Sequence, residues 1–230
     1  MKTLGVVGGI GPESTIEYYR LIVATYRERA SDESYPHVII DSIDVLKLLG
    51  FVGRNDLNGL TSYLLAGVRA LGAAGADFGL LAANTPHVVF DAVQRESPIP
   101  LISIVEATCR AAKRLLLRRV GLFGTRFTMQ GRFYPEVFGP GITLVLPSAA
   151  EQSYIHDKYV RELVNGIFLP ETRAGLEDII RRLAAEEAID GLILGGTELP
   201  LILREPEVHG VPLLDTTRLH VHEAVDRLLA

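Results

Sequence analysis

Asn84-Thr85-Pro86-His87 and Thr197-Glu198-Leu199-Pro200 are the segments in which groups able to hydrogen-bond, carry charge or move a proton crowd together. Each follows an apolar run opened by glycine, Gly79-Leu80-Leu81 and Gly191-Leu192-Ile193-Leu194, and the opening glycines lie 112 residues apart. A second echo, Gly5-Val6-Val7-Gly8-Gly9 against Gly121-Leu122-Phe123-Gly124-Thr125, lies at an offset of 116. These are strand-to-helix turns. Thr85 is placed to cap the following helix, and Pro86 suits its first turn. Thr197 and Glu198 repeat that arrangement, and Gly11-Pro12-Glu13-Ser14-Thr15 and Gly124-Thr125-Arg126-Phe127-Thr128 open helices too. Helix starts present unpaired N–H groups and a partial positive charge, so they attract anions. Each such start favours a carboxylate by about 0.3–1 kcal/mol in water, and ~2 kcal/mol when partly buried. The chemistry these turns suit is capture of a small carboxylate.

The elements that position them read as an α/β protein. Short β-branched runs predict strands at 3–8, 37–43, 78–82, 100–103, 119–123, 143–147, 190–194 and 212–214. Helical periodicity fills 12–30, 56–74, 86–95, 104–117, 128–138, 150–166, 171–187, 198–204 and 216–229. Such alternation implies mainly parallel sheets flanked by helices. Two echoes at nearly one offset imply two similar domains with a ligand cleft between them. The expected division is 1–100 plus 212–230 for the first domain and 101–211 for the second. Whether the C-terminal helix packs back on the first half is left open by the sequence.

Composition narrows the function classes. The chain has 230 residues, a formal net charge of −5 and short basic pairs only, which argues against nucleic acid as a partner. No apolar stretch approaches the roughly 18 residues of a spanning helix, so no membrane is expected. The N-terminus does not resemble a signal peptide, and one cysteine suits a reducing compartment, so the expected location is the cytoplasm. A dinucleotide fold competes for the first turn, but Ser14 stands where Gly9-Ile10-Gly11 would need its third glycine. The histidines lack metal-ligand spacing, so neither a metal nor a cofactor is expected.

Taken together these segments resemble the aspartate/glutamate racemase family of cofactor-independent amino-acid racemases. Residues 1–9 with Thr15 look like its opening strand and turn. Asn84-Thr85 followed by His87 is similar to its cysteine-asparagine-threonine-x-histidine signature. Gly124-Thr125-Arg126-Phe127-Thr128-Met129 with Tyr134 looks like its middle motif. Thr197-Glu198 resembles its glycine-cysteine-threonine-glutamate signature, and Asp215-Thr216-Thr217-Arg218-Leu219-His220 its closing segment. The resemblance implies two α/β domains, commonly a homodimer, and a reaction in which one thiol removes an α-proton while a second returns one from the opposite face. Both thiol positions depart from the pattern: they hold Ala83 and Gly196. Neither side chain carries a proton, and threonine is no substitute without an adjacent base. Two-thiol racemisation is therefore expected to be absent, and the lost side chains to leave a wider, less polar cleft.

The resemblance places Gly9, Asn84, Thr85, Thr125, Thr128, Thr197 and Glu198 around a small carboxylic acid or amino acid. Glu198 and His220 are the candidates for any surviving acid–base work, with His87 and Glu13 behind them. Glu198 at a helix start equally suits stabilisation of that helix. His87 equally suits a cap or a solvent-facing position, and His220 a structural hydrogen bond. His156, Tyr159 and Glu162 form a helix stripe that points toward the ligand. Cys109 shares a stripe with Val105, Ala112 and Leu116 and reads as core. The apolar stretch 45–53 is expected as a buried or subunit-facing helix, or as the mark of a less polar substrate. Two functions stay open: altered acid–base chemistry on a bound amino acid, or a catalytically silent ligand-binding or regulatory homologue.

Overall fold

The glycine-opened apolar runs become buried strands and the periodic segments helices in a computed structural model that describes residues 2–230. In chain order the elements are β1 (Thr3–Gly8), α1 (Pro12–Arg29), β2 (His37–Ser42), α2 (Val45–Gly53), α3 (Leu57–Ala73), β3 (Phe78–Leu81), α4 (Phe90–Glu96), β4 (Leu101–Ile102) and α5 (Ile104–Arg114). They continue as β5 (Arg119–Gly124), α6 (Arg126–Gln130), α7 (Phe133–Phe138), β6 (Thr143–Val145), α8 (Ala149–Arg161) and α9 (Pro170–Glu187). The last are β7 (Gly191–Gly195), α10 (Leu199–Ile202), β8 (Glu207–Val208), β9 (Val211–Asp215) and α11 (Thr216–Leu229). The chain divides into two compact units, Met1–Ala107 with Thr217–Ala230, and Thr108–Thr216.

In the first unit a parallel sheet runs in the order β2-β1-β3-β4. β1 and β3 are buried along their whole length, and their residues alternate between two apolar clusters. Leu4, Val6 and Leu80 pack with Tyr18 and Ile22 of α1 and with Val221 and Val225 of α11. Val7 and Leu81 pack with Leu64, Val68 and Leu71 of α3. Strands apolar on both faces need helices on both faces, and α11 supplies part of one.

The second unit repeats the order: β6-β5-β7-β9 is parallel, and β8 adds antiparallel to β9. A shared device fixes the start of the sheet in each unit. Asp77, just before β3, accepts the Thr3 backbone N–H at 2.7 Å. Asp190, just before β7, accepts those of Arg118 and Arg119 at 2.7 and 3.0 Å.

Several boundaries differ from the sequence reading, each for a physical reason. Leu80 pairs with Ile102 and Ile193 with Leu214, so β4 lies in the first sheet and β9 in the second. The divisions expected at 100 and 212 accordingly fall near 107 and 217. The single helix expected at 128–138 is two, α6 ending at a cap on Gly131 and α7 following. The helix expected at 86–95 begins as a 3-10 turn, Thr85–Val89. The β8–β9 hairpin, unseen in the sequence, turns on His209 and Gly210, both at positive φ (51° and 76°), as a two-residue primed turn requires. Stretch 45–53 is α2, in which Leu48 is buried while Leu46 is 75% exposed, so it is not a buried helix within this chain.

Candidate functional site

Parallel strands deliver their carboxyl ends to one edge of a sheet, where open α/β sheets bind ligands. The turns after β1 and β3 are thus neighbours in the first unit, and those after β5 and β7 in the second.

In the first unit Gly9 sits at φ +80°, and a Cβ there would stand 2.2 Å from the Ile43 carbonyl oxygen, so only glycine fits. Its N–H donates to the Thr15 hydroxyl at 2.8 Å, and that hydroxyl donates to the Gly11 carbonyl at 3.2 Å. The turn therefore satisfies this donor internally. Asn84 is buried and Thr85 half-buried beside it. The helix start carries no side-chain cap, so Thr85 does not play the expected role, because the chain tightens into a 3-10 turn there. Ala83 is 7% exposed and joins the apolar cluster of α3. Glu13 is exposed in the first turn of α1.

The two histidines are core residues. His87 is 3% exposed, so it faces no solvent. Its Nδ1–H donates to the Ala83 carbonyl at 3.0 Å, and its Nε2 accepts the Ile104 N–H at 3.1 Å. The ring stacks on Phe90. Burial first, and then the nearby His220, push its pKa down to about 3, so it is neutral at ordinary pH. His220 donates through Nε2 to the Ile102 carbonyl at 2.9 Å and accepts the Tyr18 hydroxyl at Nδ1, also at 2.9 Å. Fully buried with both nitrogens engaged, it ties α11 to α1 and β4 and is not placed to shuttle protons.

In the second unit Thr125 caps α6: its hydroxyl accepts the Thr128 N–H at 3.2 Å. The two hydroxyls lie 3.2 Å apart, and Thr128 is buried. His156 of α8 accepts the Arg126 N–H at 3.3 Å, so two donors of this helix start are already used. Glu198 stands at the start of α10 but makes no side-chain cap. Its Oε2 instead accepts the Thr197 hydroxyl at 2.8 Å and the Tyr159 hydroxyl. Tyr159 is 7% exposed, and burial followed by the Glu198 charge holds its phenol well above the ordinary range.

The space beside Gly196 is not a void. A Cβ there would lie 2.4 Å from Tyr159 Cε2 and 2.7 Å from its hydroxyl oxygen. The expected widening at this position is therefore corrected: the ring fills what the side chain at 196 vacates. The stripe His156, Tyr159, Glu162 spreads over four partners, His156 meeting Arg126, Tyr159 meeting Glu198, and Glu162 turning to Lys158 and Thr172. Residue spacing identified the stripe, but not that Tyr159 alone would meet Gly196 and Glu198. Cys109 is buried, its thiol donating to the Val137 carbonyl at 3.7 Å. Val105 and Ala112 of its stripe are buried too, whereas Leu116 lies past the end of α5 at φ 57° and is 78% exposed. Among the described residues no group of three or more His, Cys, Asp or Glu is placed to hold a metal ion, and no helix is long and apolar enough to cross a membrane.

Two sheets that share one four-strand parallel order, β2-β1-β3-β4 and β6-β5-β7-β9, each flanked by helices, define a two-unit α/β class of protein. The profile of the Asp/Glu/Hydantoin racemase family matches residues 7–224, and the chain belongs to that family. The broad specificity amino-acid racemase RacX of Bacillus subtilis (strain 168) is 24% identical, over 99% of this chain and 98% of its own. A candidate Asp/Glu racemase from Yersinia pestis superposes with a TM-score of 0.93 at 30% identity, covering 100% of both chains. An aspartate racemase homologue from Pyrococcus horikoshii OT3 gives 0.88 at 33% identity, again over 100% of both.

Proposed function

We propose that this protein binds a small carboxylic acid, in the first instance an amino acid, and that it no longer racemises by two thiols. The family supports the ligand class, since RacX is described as an amino-acid racemase of broad specificity. Gly9, Asn84 and Thr85 in the first unit, and Thr125, Thr128, Thr197 and Glu198 in the second, are the proposed contacts. Inversion at a carbon needs a proton carrier on each face, and the positions that resemble the thiols carry a methyl group and a hydrogen. The observation that carries the reading is the Tyr159 ring packed against Gly196, in the space a side chain there would need. A silent ligand-binding homologue is the second reading, favoured by His87 and His220, whose ring nitrogens are all engaged within the protein.

The test is binding and inversion measured together. Single enantiomers of alanine, aspartate, glutamate and lysine, with acetate and malonate as plain acids, are titrated by calorimetry and by thermal shift. A ligand at a hundred times its Kd stabilises the fold by about 2.7 kcal/mol, which a melting curve registers. Chiral chromatography of the same mixtures is expected to show no antipode. Rapid inversion by the unaltered protein would overturn this reading.

A further inference from the structure

We propose that Tyr159 and Glu198 form a proton-exchanging pair that stands in for the missing side chain at 196 and works on one face of the ligand only. The inference rests on the ligand-binding reading above and names the chemistry of that site. Its first support is position. The Tyr159 hydroxyl oxygen lies 2.7 Å from where a Cβ of residue 196 would be, so a proton-bearing atom occupies the space that a longer side chain there would enter. Its second is orientation. Glu198 Oε2 accepts both the phenol and the Thr197 hydroxyl, the latter at 2.8 Å, which fixes the carboxylate against the ring. A proton carrier hydrogen-bonded to a base that a third group orients is the general pattern of an activated side chain.

Burial adds the remaining two supports. Tyr159 is buried while Glu198 is half-buried, so the carboxylate is the member that passes protons to water. The phenol, kept in its O–H form by burial and by the adjacent charge, is a strong base in the instant after its proton moves to Glu198. The first unit offers no counterpart. Ala83 carries no proton, and His87 has one ring nitrogen on the Ala83 carbonyl and the other on the Ile104 N–H. A single carrier removes and returns a proton on one side, which exchanges hydrogen without inverting the centre.

The step balances without any co-reactant. The ligand's Cα–H bond breaks as its proton passes to the Tyr159 oxygen, while the phenolic proton passes to Glu198 Oε2. The electron pair remains on Cα and spreads into the adjoining carboxyl group. While the carbanion stands, Glu198 trades its proton with water and then exchanges protons with the hydrogen-bonded Tyr159 hydroxyl. The proton that Tyr159 returns to Cα therefore comes from solvent, and Glu198 restores the phenolic O–H. In deuterated water the expected product is the starting enantiomer carrying deuterium at Cα.

The experiment uses the full-length protein with each enantiomer of alanine, aspartate and glutamate in deuterated water. Proton NMR follows loss of the α-proton, chiral chromatography follows the antipode, and calorimetry records binding. Deuteration of one enantiomer with no antipode is expected, falling on the order of 100-fold in Tyr159→Phe, the span a positioned acid–base group supplies. Glu198→Gln is expected to slow exchange and to change its pH profile, with melting curves confirming that both variants fold. Undiminished exchange in Tyr159→Phe overturns the proposal, as does an antipode that accumulates at the deuteration rate. Binding without exchange overturns the pair's role while leaving the ligand-binding reading intact. Failure of every amino acid and plain acid to bind overturns that reading, and the pair's role with it.

Discussion

His87 shows what one side chain contributes when its surroundings deny it a charge. Its pKa falls from the ordinary 6.5 to about 3 in the folded protein. The unfolded chain therefore takes up a proton near pH 6.5 that the native state refuses until about pH 3. The consequence is stability present above pH 6.5 and lost progressively down to about pH 3. At ~1.36 kcal/mol per pH unit the whole effect is about 5 kcal/mol. Urea unfolding from pH 7 to 4 is expected to show this slope, and His87→Gln to flatten it by about one proton while lowering stability at neutral pH. An unchanged slope in the variant would assign the acid sensitivity to other groups. The motifs made His87 and His220 visible in the sequence, and a structural hydrogen bond was one role open to His220, but the partners were not legible. Tyr18, which holds the His220 ring, is 202 residues away, and no local pattern reports a partner so distant. Gly9 was legible as a turn glycine, whereas the Ile43 carbonyl that makes it obligatory was not.

The strands and most helices were readable because their signals are local: glycine-bounded apolar runs, and helical periodicity with proline or capping residues at the start. Sheet membership is a matter of pairing, and pairing has no local signal. β9 therefore joins β7 although the sequence reading grouped it with the first half. The two-residue strand β8 was too short to show any alternation. α11 makes the same point at the level of packing, since Val221, Ala224, Val225 and Leu228 lie in one apolar cluster with Leu4, Tyr18 and Phe78. Removing residues 217–230 uncovers that cluster and breaks the tie from His220 to Ile102. Each large apolar side chain so exposed forfeits about 1.5–3 kcal/mol, against the 5–15 kcal/mol by which domains are stable. The shortened chain is expected to lose its first unit. In limited proteolysis of that chain, early cuts are expected in α1 and α3, with the Thr108–Thr216 segment surviving longer. Equal protection of both segments would show that α11 is dispensable.

For the molecule as a whole, the positions that resemble the two thiols fall in different units, Ala83 in the first and Gly196 in the second. Restoring two-thiol inversion therefore requires a thiol in each, and the obstacles differ. At 83 the methyl group lies in a packed cluster, and Ala83→Cys adds one sulfur atom to it. At 196 the obstacle is a whole ring, because the new Cβ would meet Tyr159 Cε2 at 2.4 Å, well inside van der Waals contact. Overpacking of this kind costs on the order of 1–3 kcal/mol, so Gly196→Cys is expected to lower the melting temperature. In a Tyr159→Ala background the same change is expected to cost less, since neighbouring residues couple by roughly 0.5–3 kcal/mol. The double variant Ala83→Cys/Gly196→Cys is accordingly expected to leave amino-acid enantiomers uninverted, because Tyr159 and the new thiol compete for one space. Adding Tyr159→Ala frees that space, and inversion of an amino acid is then expected by chiral chromatography. Inversion already present in the double variant would show that the ring yields to the thiol, and inertness of the triple variant would mean that more than two thiols and one ring separates this protein from its relatives.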